Sequence, residues 1–463
     1  MLIHNNIDEL SDVYNANLFT ETFENELKYS PVNGCWYKYD GVIWQSDHLL
    51  YVMQHAIDCT RNMLLDSAGM LINAAKTRDS EKRDLMVKKS ESLTKHAKSS
   101  QQKNRLDAMI GLASTNAKLS VHQSKFDSDD MLLALQNGVF ELESGVFRNA
   151  NPNDMLTKQA DTKYVGAAYD KECEVWLNFL EVVQPDSSMR VWLQRFAGYC
   201  LTGRIDEQIL TVFHGGGANG KTVFIETLKR VLGSYATQAQ FETFCERHND
   251  SSIRNDIARL DKIRLVVATE GAEGSRLDES IVKQLTGGDE ITARFLHKEF
   301  FTFTPRFKIV LVTNHKPVIT GTDHGIWRRV VLVPWLVTIP EEKKDKRLVE
   351  KLNLERSGIL AWALEGLADY LKHGLELPKV IIDANSEYRA DSDLIGLWID
   401  DCCHVATHHR VSSSDLYLSY SQWAISSGHR AMSQKTLGDK LLERGYIKNR
   451  TTNGRGWDGL KIK

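Results

Sequence analysis

Eight consecutive residues, Gly215-Gly216-Gly217-Ala218-Asn219-Gly220-Lys221-Thr222, have the composition needed to hold a chain of phosphates. Glycines let backbone N–H groups curl around phosphate oxygens without a Cβ in the way. Lys221 supplies a cation for the β and γ phosphates, and Thr222 a hydroxyl for Mg²⁺. The pattern G-x-x-x-x-G-K-T predicts ATP with Mg²⁺ as the ligand. Hydrolysis also needs an acid. Glu270 follows the apolar run Arg264–Ala268, and orienting the attacking water, with help to Mg²⁺, suits its place. Glu273 lies three residues on, and the division of labour between the two is open. Asn314, after the apolar run Lys308–Val312, offers an amide to the γ-phosphate and the water, although Asn-His-Lys-Pro also suits a turn. Arg328 and Arg329 could reach the γ-phosphate of a neighbouring subunit and stabilise transition-state charge.

These residues need a scaffold. Ile209–Phe213, Arg264–Ala268, Lys308–Val312 and Val330–Val333 are near-continuous apolar runs, as expected of strands buried on both faces of a parallel sheet. A helix from Val223 to Leu232 should leave the phosphate loop with its positive end toward the anion. Upstream, Asp40-Gly41 predicts a hairpin within 31–45, and a second hairpin falls near Asn137–Gly145. Between them, 49–120 reads as helical, with a basic stretch over 76–105 that suits a solvated face or DNA phosphates. Residues 172–202 read as amphipathic helix. Asp127-Ser128-Asp129-Asp130 reads as a helix cap. Near the C-terminus, helices near 392–404, 413–427 and 433–444 precede strands at Tyr446–Lys448 and Leu460–Ile462, the make-up of a winged helix. The fold class is α/β: a P-loop ATPase core over 206–385, a mainly helical domain with hairpins over 1–205, and a winged helix over 386–463.

The order of the motifs matters more than any one of them. Gly215–Thr222, Glu270, Lys283–Asp289 with Arg294, Thr313–Pro317 and Gly325–Arg329 follow one another along the chain. This succession closely resembles the superfamily 3 helicase domain of phage and plasmid primase–helicases, with poxvirus, parvovirus and papillomavirus replication helicases as more distant relatives. The resemblance is strong over about 206–340 and weaker over 31–205. It implies an AAA+-like homo-hexamer with ATP between subunits. In it, Lys221 and Thr222 fall on Walker A, Glu270 on Walker B, Asn314 on sensor 1, and Arg328 or Arg329 on the trans arginine. It also implies that single-stranded DNA threads past a hairpin within Ile291–Thr304, with His297-Lys298 at its tip. Neither a clustered-cysteine element nor a set of catalytic acids at strand ends appears upstream of the motor, so a primase would be a separate partner.

Bulk composition narrows the rest. The net charge is -3, so nucleic-acid binding must come from local patches. One such patch runs from Gly428 to the C-terminus, where nine basic and three acidic residues give +6. Ser433 can cap a helix carrying Lys435 and Lys440, while the wing carries Lys448, Arg450 and Arg455, a layout for duplex DNA or for a protein contact. Seven cysteines without a C-x-x-C pair suit reduced thiols. Cys402-Cys403-His404 with His408-His409 matches no common zinc spacing and reads as buried thiols beside surface histidines. No signal peptide or membrane span is legible, so a soluble cytoplasmic protein is expected. The sequence therefore points to an ATP-dependent DNA helicase replicating a phage, plasmid or integrated element. An initiator or DNA-remodelling ATPase that binds duplex and recruits another helicase is the alternative.

Overall fold

The structure, a computed structural model, describes residues 10–166, 172–246, 255–271, 273–296, 300–319, 321, 324–427, 431–451 and 454–463. At its centre is a parallel sheet whose strands we number β1 (Leu210–His214), β2 (Ala236–Ala239), β3 (Leu265–Thr269), β4 (Lys308–Thr313) and β5 (Val330–Pro334). Their order across the sheet is β5-β1-β4-β3-β2. Side chains alternate between faces along a strand, and both faces are buried here. Phe213, Val267, Val310, Val312 and Val331 join one core; Val212, Val266, Ile309, Leu311 and Leu332 join the other. That is why these strands read as unbroken apolar runs rather than alternating ones. β2 is Ala-Thr-Gln-Ala, a half-exposed edge strand, and it offers no apolar run to find.

The first core is covered by helices Lys221–Leu232, Ser187–Leu201 and Arg356–His373. The last two cross so closely that a Cβ on Gly198 would lie 2.2 Å from the Leu367 backbone nitrogen, so glycine is required there. The amphipathic stretch 172–202 is two helices, Glu174–Val183 and Ser187–Leu201. Pro185 cannot continue the first, and Asp186 caps the second through Ser188 N. Residues from Met131 to Leu201 thus share one core with the sheet, across position 205.

Two basic side chains fasten this layer. Arg264 donates to the carbonyls of Leu201 and Leu132, and Lys308 to that of Thr202. Cations at a helix C-terminus satisfy its unpaired carbonyls and oppose its negative end.

The N-terminal region has its own core, built from helix Asp12–Phe23 and helices Tyr51–Lys76, Ser80–Ser100 and Lys103–Ala113. The first expected hairpin is a three-stranded meander, Leu27–Ser30, Cys35–Tyr39 and Trp44–Ser46. Its Asp40 side chain accepts from Val42 N and Ile43 N, which widens the turn and leaves Val42 and Ile43 out of the strand. The second is also a meander, Leu132–Leu135, Gly138–Glu141 and Val146–Arg148. The loop Asp127–Asp130 precedes a strand, so it caps no helix. Asp127 instead accepts from Thr157 N, and Asp130 pairs with Arg306 at 2.5 Å.

The C-terminal unit runs helix Leu394–Cys402, strand Cys403–Ser412, helices Ser413–Ser426 and Gln434–Glu443, and strands Ile447–Thr451 and Gly454–Ile462. The longest strand of this unit, Cys403–Ser412, has no counterpart among the expected elements, and the first helix ends at Cys402 rather than near 404. Its polar His404, His408 and Arg410 are exposed on a sheet edge, so hydrophobic patterning does not mark it. Trp398, Tyr420, Leu437, Leu441, Trp457 and Leu460 form the core of this unit. Among the described residues, no helix is long and apolar enough to cross a membrane.

Candidate functional site

Ligands of open parallel sheets bind beyond the carboxyl ends of the strands. Three predicted residues emerge at that edge together. Thr313 of β4 lies opposite His214 of β1, and Val312 lies opposite Thr269 of β3. Gly215, Asn314 and Glu270 therefore leave three adjacent strands within one residue of the same level.

The glycine-rich turn is held open by its backbone. Gly217, Ala218 and Gly220 have φ of 90°, 48° and 87°. Left-handed geometry suits glycine and is costly for other residues, Ala218 included. A Cβ on Gly215 would meet the Trp335 carbonyl oxygen at 2.2 Å, and one on Gly220 would meet Val183 at 2.6 Å. Positions 216 and 217 face open space instead. From the far side, Asn219 Nδ2 donates to the Trp335 carbonyl at 3.3 Å, and Ile339 N donates to the Ala218 carbonyl at 2.8 Å. β5 and the segment after it thus brace the turn.

Lys221 opens the helix Lys221–Leu232 with its side chain buried. Its ammonium donates to Gly215 O and, at 3.1 Å, to Asn314 Oδ1. Burial lowers its pKa from the usual lysine range. His214 beside it is also held below the usual imidazole range, by burial and then by Lys316 and Lys221. This mouth gathers positive charge that an anion would stabilise. Thr222 is exposed one residue further on. Glu270 is exposed at the end of β3, with φ of 64°. A non-glycine residue in that region costs about 1–3 kcal/mol and is found most at functional sites. Glu273 is exposed in the following turn.

The arginines lie elsewhere. Val330 begins β5 opposite Leu210, the first residue of β1, so Arg328 and Arg329 sit at the other edge of the sheet. A five-residue strand spans roughly 16 Å, which separates them from the glycine-rich turn of their own chain. Their surroundings differ. Arg329 is half-buried and donates to Gly325 O at 2.7 Å and Thr286 Oγ1 at 3.2 Å. Arg328 is exposed and donates to Gln208 Oε1 at 3.0 Å.

Tyr388, which the sequence reading did not single out, touches both halves of this arrangement. Its hydroxyl donates to the Pro317 carbonyl, three residues after Asn314, and its ring meets Trp327 edge-on at 5.4 Å, next to Arg328. A tyrosine in helix Lys379–Ser392 carries no signal of this; only the packing reveals it.

His297 and Lys298 lie outside the described residues. The strands of their hairpin, Ile291–Ala293 and Phe301–Phe303, pair antiparallel. In the C-terminal unit, Ser433 Oγ accepts from Thr436 N at 3.1 Å, and Lys435 is exposed on the first turn of helix Gln434–Glu443. Lys440 is half-buried and borders a cleft of about 680 Å³ shared with Arg276, Lys316, Tyr388, Asp391 and Met432. Arg450 lies directly opposite Arg455 in the terminal hairpin, and Lys448 opposite Trp457. The Lys448 ammonium sits 5.5 Å from the Trp457 ring, which packs beneath Gly438 of the helix. Lys448, Arg450 and Arg455 therefore share the helix side of the hairpin. Among the described residues, no group of His, Cys, Asp or Glu is arranged to hold a metal ion, and Cys402, Cys403, His404, His408 and His409 are spread along one helix end and strand.

Residues 16–185 match the family described as D5 N terminal like, and residues 213–329 match a family described as of unknown function. A protein of Acanthamoeba polyphaga mimivirus that carries a helicase name, L207/L206, is 28% identical over 431 residues, covering 88% of this chain and 45% of the viral one. A helicase-named protein of Invertebrate iridescent virus 3, 121R, is 25% identical over 65% of this chain and 36% of its own length. A primase-named protein of African swine fever virus, C962R, is 25% identical over 44% of this chain and 22% of its own length. The chain spans less than half the length of these relatives. Among solved structures, the C terminal region of NrS-1 aligns over 96% of this chain and 98% of its own at 9% identity, with a TM-score of 0.49. The sequence matches support a relationship to D5-type primase–helicases.

Proposed function

We propose that the chain is the ATP-driven motor of a D5-type, superfamily 3 replication helicase. The observation that carries this reading is the split of the predicted ATPase residues between two edges of one sheet. Lys221, Asn314 and Glu270 gather at the carboxyl edge, while exposed Arg328 stands at the opposite edge. An arginine that cannot reach its own phosphate loop can serve a neighbour's, which favours a ring of identical subunits with ATP between them.

The residues fit a nucleoside triphosphate with Mg²⁺. The turn has backbone curvature and open space at positions 216 and 217, and the buried ammonium of Lys221 would gain from an adjacent polyphosphate. Thr222 and Glu270 would hold Mg²⁺, which would neutralise charge on the phosphate oxygens. Glu270 orients the attacking water, Asn314 positions Lys221 and contacts the γ-phosphate, and Arg328 of an adjacent subunit stabilises charge in the transition state.

The C-terminal unit, three helices with a three-stranded sheet, is read as a winged helix. Its Arg450–Arg455 pair places like charges directly opposite each other, an arrangement that costs stability unless an anion lies between them. Duplex DNA is the proposed anion, and the replicating genome is that of a virus or another mobile element.

Unwinding of a forked DNA substrate with ATP and Mg²⁺ tests the reading, with Lys221→Ala as the inactive control. DNA-stimulated hydrolysis without strand separation would instead favour the duplex-binding initiator, the reading to which the basic hairpin gives independent support.

A further inference from the structure

Tyr388 joins two parts of the proposed ATPase that would serve different nucleotides. On one side its hydroxyl donates to the Pro317 carbonyl. The loop held there is the one that leaves β4 through Asn314, whose Oδ1 accepts from Lys221 at 3.1 Å. Lys316 ties the same loop to the same helix: its ammonium donates to Asp391 Oδ2 at 3.1 Å and lies 5.7 Å from the Tyr388 ring centroid. Next along, Val318 N donates to Ser275 O at 2.8 Å, and Val318 O accepts from Leu277 N at 3.0 Å. A shift of Pro317 therefore also bears on the segment that follows Glu270.

On the other side the Tyr388 ring meets the Trp327 indole edge-on, with 5.4 Å between centroids and 83° between planes. Trp327 has little room, because its Nε1 donates to Gly321 O at 2.9 Å. Arg328 follows it directly. The Arg328 guanidinium donates to Gln208 Oε1 of its own chain, so reaching a neighbour's γ-phosphate means leaving Gln208. Arg328 thus has two alternative partners, and Trp327 is the residue beside it that feels the exchange.

Tyr388 is placed to pass that exchange on. It is 2% exposed, and its helix is pinned one turn earlier, where Leu332 N of β5 donates to Asn385 Oδ1 at 2.7 Å. Coupling between sites is carried by packed side chains and hydrogen bonds, and a close-packed interior moves between discrete arrangements rather than yielding continuously. A buried ring against Trp327 with its hydroxyl on Pro317 supplies both kinds of contact.

We infer that Tyr388 is a positioning residue that couples neighbouring ATP sites. Arg328 engages the nucleotide of the next subunit and shifts Trp327; Tyr388 passes the shift to Pro317, and the loop then sets Asn314 against Lys221 in its own subunit. This rests on the proposed trans role of Arg328 and adds the regulation of that site. A residue that only supported the fold would lower turnover at every ATP concentration alike. A coupling residue changes how one site depends on the next.

The test measures ATP hydrolysis by the full chain against ATP concentration, and again with rising fractions of Lys221→Ala chains, which lack the phosphate cation but keep Arg328. The wild type should respond sigmoidally to ATP, and replacing half of its chains should cost it clearly more than half of its activity. Tyr388→Phe keeps the ring and loses the hydroxyl. Its Hill coefficient should fall to about 1, and its activity should drop only in proportion to the Lys221→Ala fraction, a loss of coupling of about fivefold or more. Trp327→Leu cuts the connection at its other end and should behave likewise. A hyperbolic wild type, or a Tyr388→Phe or Trp327→Leu protein as sigmoidal as the wild type, overturns the inference alone. Should Tyr388→Phe fail to fold or assemble, by its unfolding midpoint and mass in solution, Trp327→Leu decides by the same two readings. A wild type that hydrolyses ATP as a single subunit would remove the trans arginine and the inference with it, and one that hydrolyses none would remove the proposed function as well.

Discussion

Lys221 and Asn314 are 93 residues apart in the chain, yet the lysine ammonium donates to the asparagine side-chain oxygen at 3.1 Å. The contact joins the helix after β1 to the loop after β4, the pair of strand ends between which a γ-phosphate would lie. It predicts unequal effects of two substitutions. Lys221→Ala should abolish hydrolysis and weaken ATP binding, because the cation acts in both. Asn314→Ala should keep ATP affinity within a few-fold and lower turnover by about 100-fold, the scale for one donor aimed at developing charge. Steady-state hydrolysis with nucleotide titration separates the two. Equal loss of binding in both variants would contradict the division of roles.

The sequence left Arg328 and Arg329 indistinguishable; the structure separates them. Arg329 is tied to Gly325 O and Thr286 Oγ1 within its own chain. Its replacement by alanine should cost about 1–3 kcal/mol of stability through buried partners left unsatisfied, read as a lowered unfolding midpoint. Exposed Arg328 has less structural work, so Arg328→Ala should melt as the wild type does and hydrolyse about 1000-fold more slowly. Mixing it with Lys221→Ala chains should recover activity, since each variant supplies the half-site the other lacks. Hydrolysis that stays flat across all mixing ratios would count against a trans arginine.

What was legible in the sequence follows from how each feature is encoded. The glycine-rich turn and four of the five central strands are local signals: glycine spacing and apolar runs that need no partner to be read. The missing strand, Ala236–Ala239, is half-exposed at a sheet edge, where polar residues are tolerated. Cys403–Ser412 escaped for the same reason; its pairing with Gly454–Ile462, not its composition, makes it a strand. Glu270 was legible by position, but its left-handed backbone was not, since no residue type announces that conformation for a glutamate. Tyr388 marks the limit. Its link between Pro317 and Trp327 depends on three segments meeting in space.

The Arg450–Arg455 pair gives a salt-dependent prediction. Each replaced phosphate contact should weaken duplex binding across sequences and reduce the slope of log affinity against log salt by about 1. Arg450→Ala and Arg455→Ala should each do this, and the double variant should lose about 2 in slope. Because like charges face each other across the hairpin, each single variant should also be no less stable than the wild type. Duplex binding measured at several salt concentrations, beside thermal unfolding, checks both halves. A slope that does not change would place the DNA contact elsewhere.

The N-terminal helices carry a pH-sensitive joint. His96 is buried, and its Nε2 lies 2.7 Å from Asn15 Oδ1, which can only accept, so the neutral ring donates there. Asn15 Nδ2 in turn donates to Ser100 Oγ at 2.9 Å, linking helix Asp12–Phe23 to the end of helix Ser80–Ser100. Burial, then the nearby Arg105 charge, lowers the His96 pKa below the usual imidazole range. The unfolded chain therefore takes up a proton at higher pH than the folded one. The stability that comes from burying His96 as a neutral ring is fully present above about pH 6.5 and is lost as the pH falls through the lower folded value, because the charged ring would keep its bond to Asn15 but be held away from water and beside Arg105. Thermal unfolding of the wild type should thus lose stability as the pH falls below about 6.5, beyond what His96→Gln loses, because glutamine keeps a donor for Asn15 and cannot titrate. Parallel melting curves for the two proteins across that range would remove His96 as the cause.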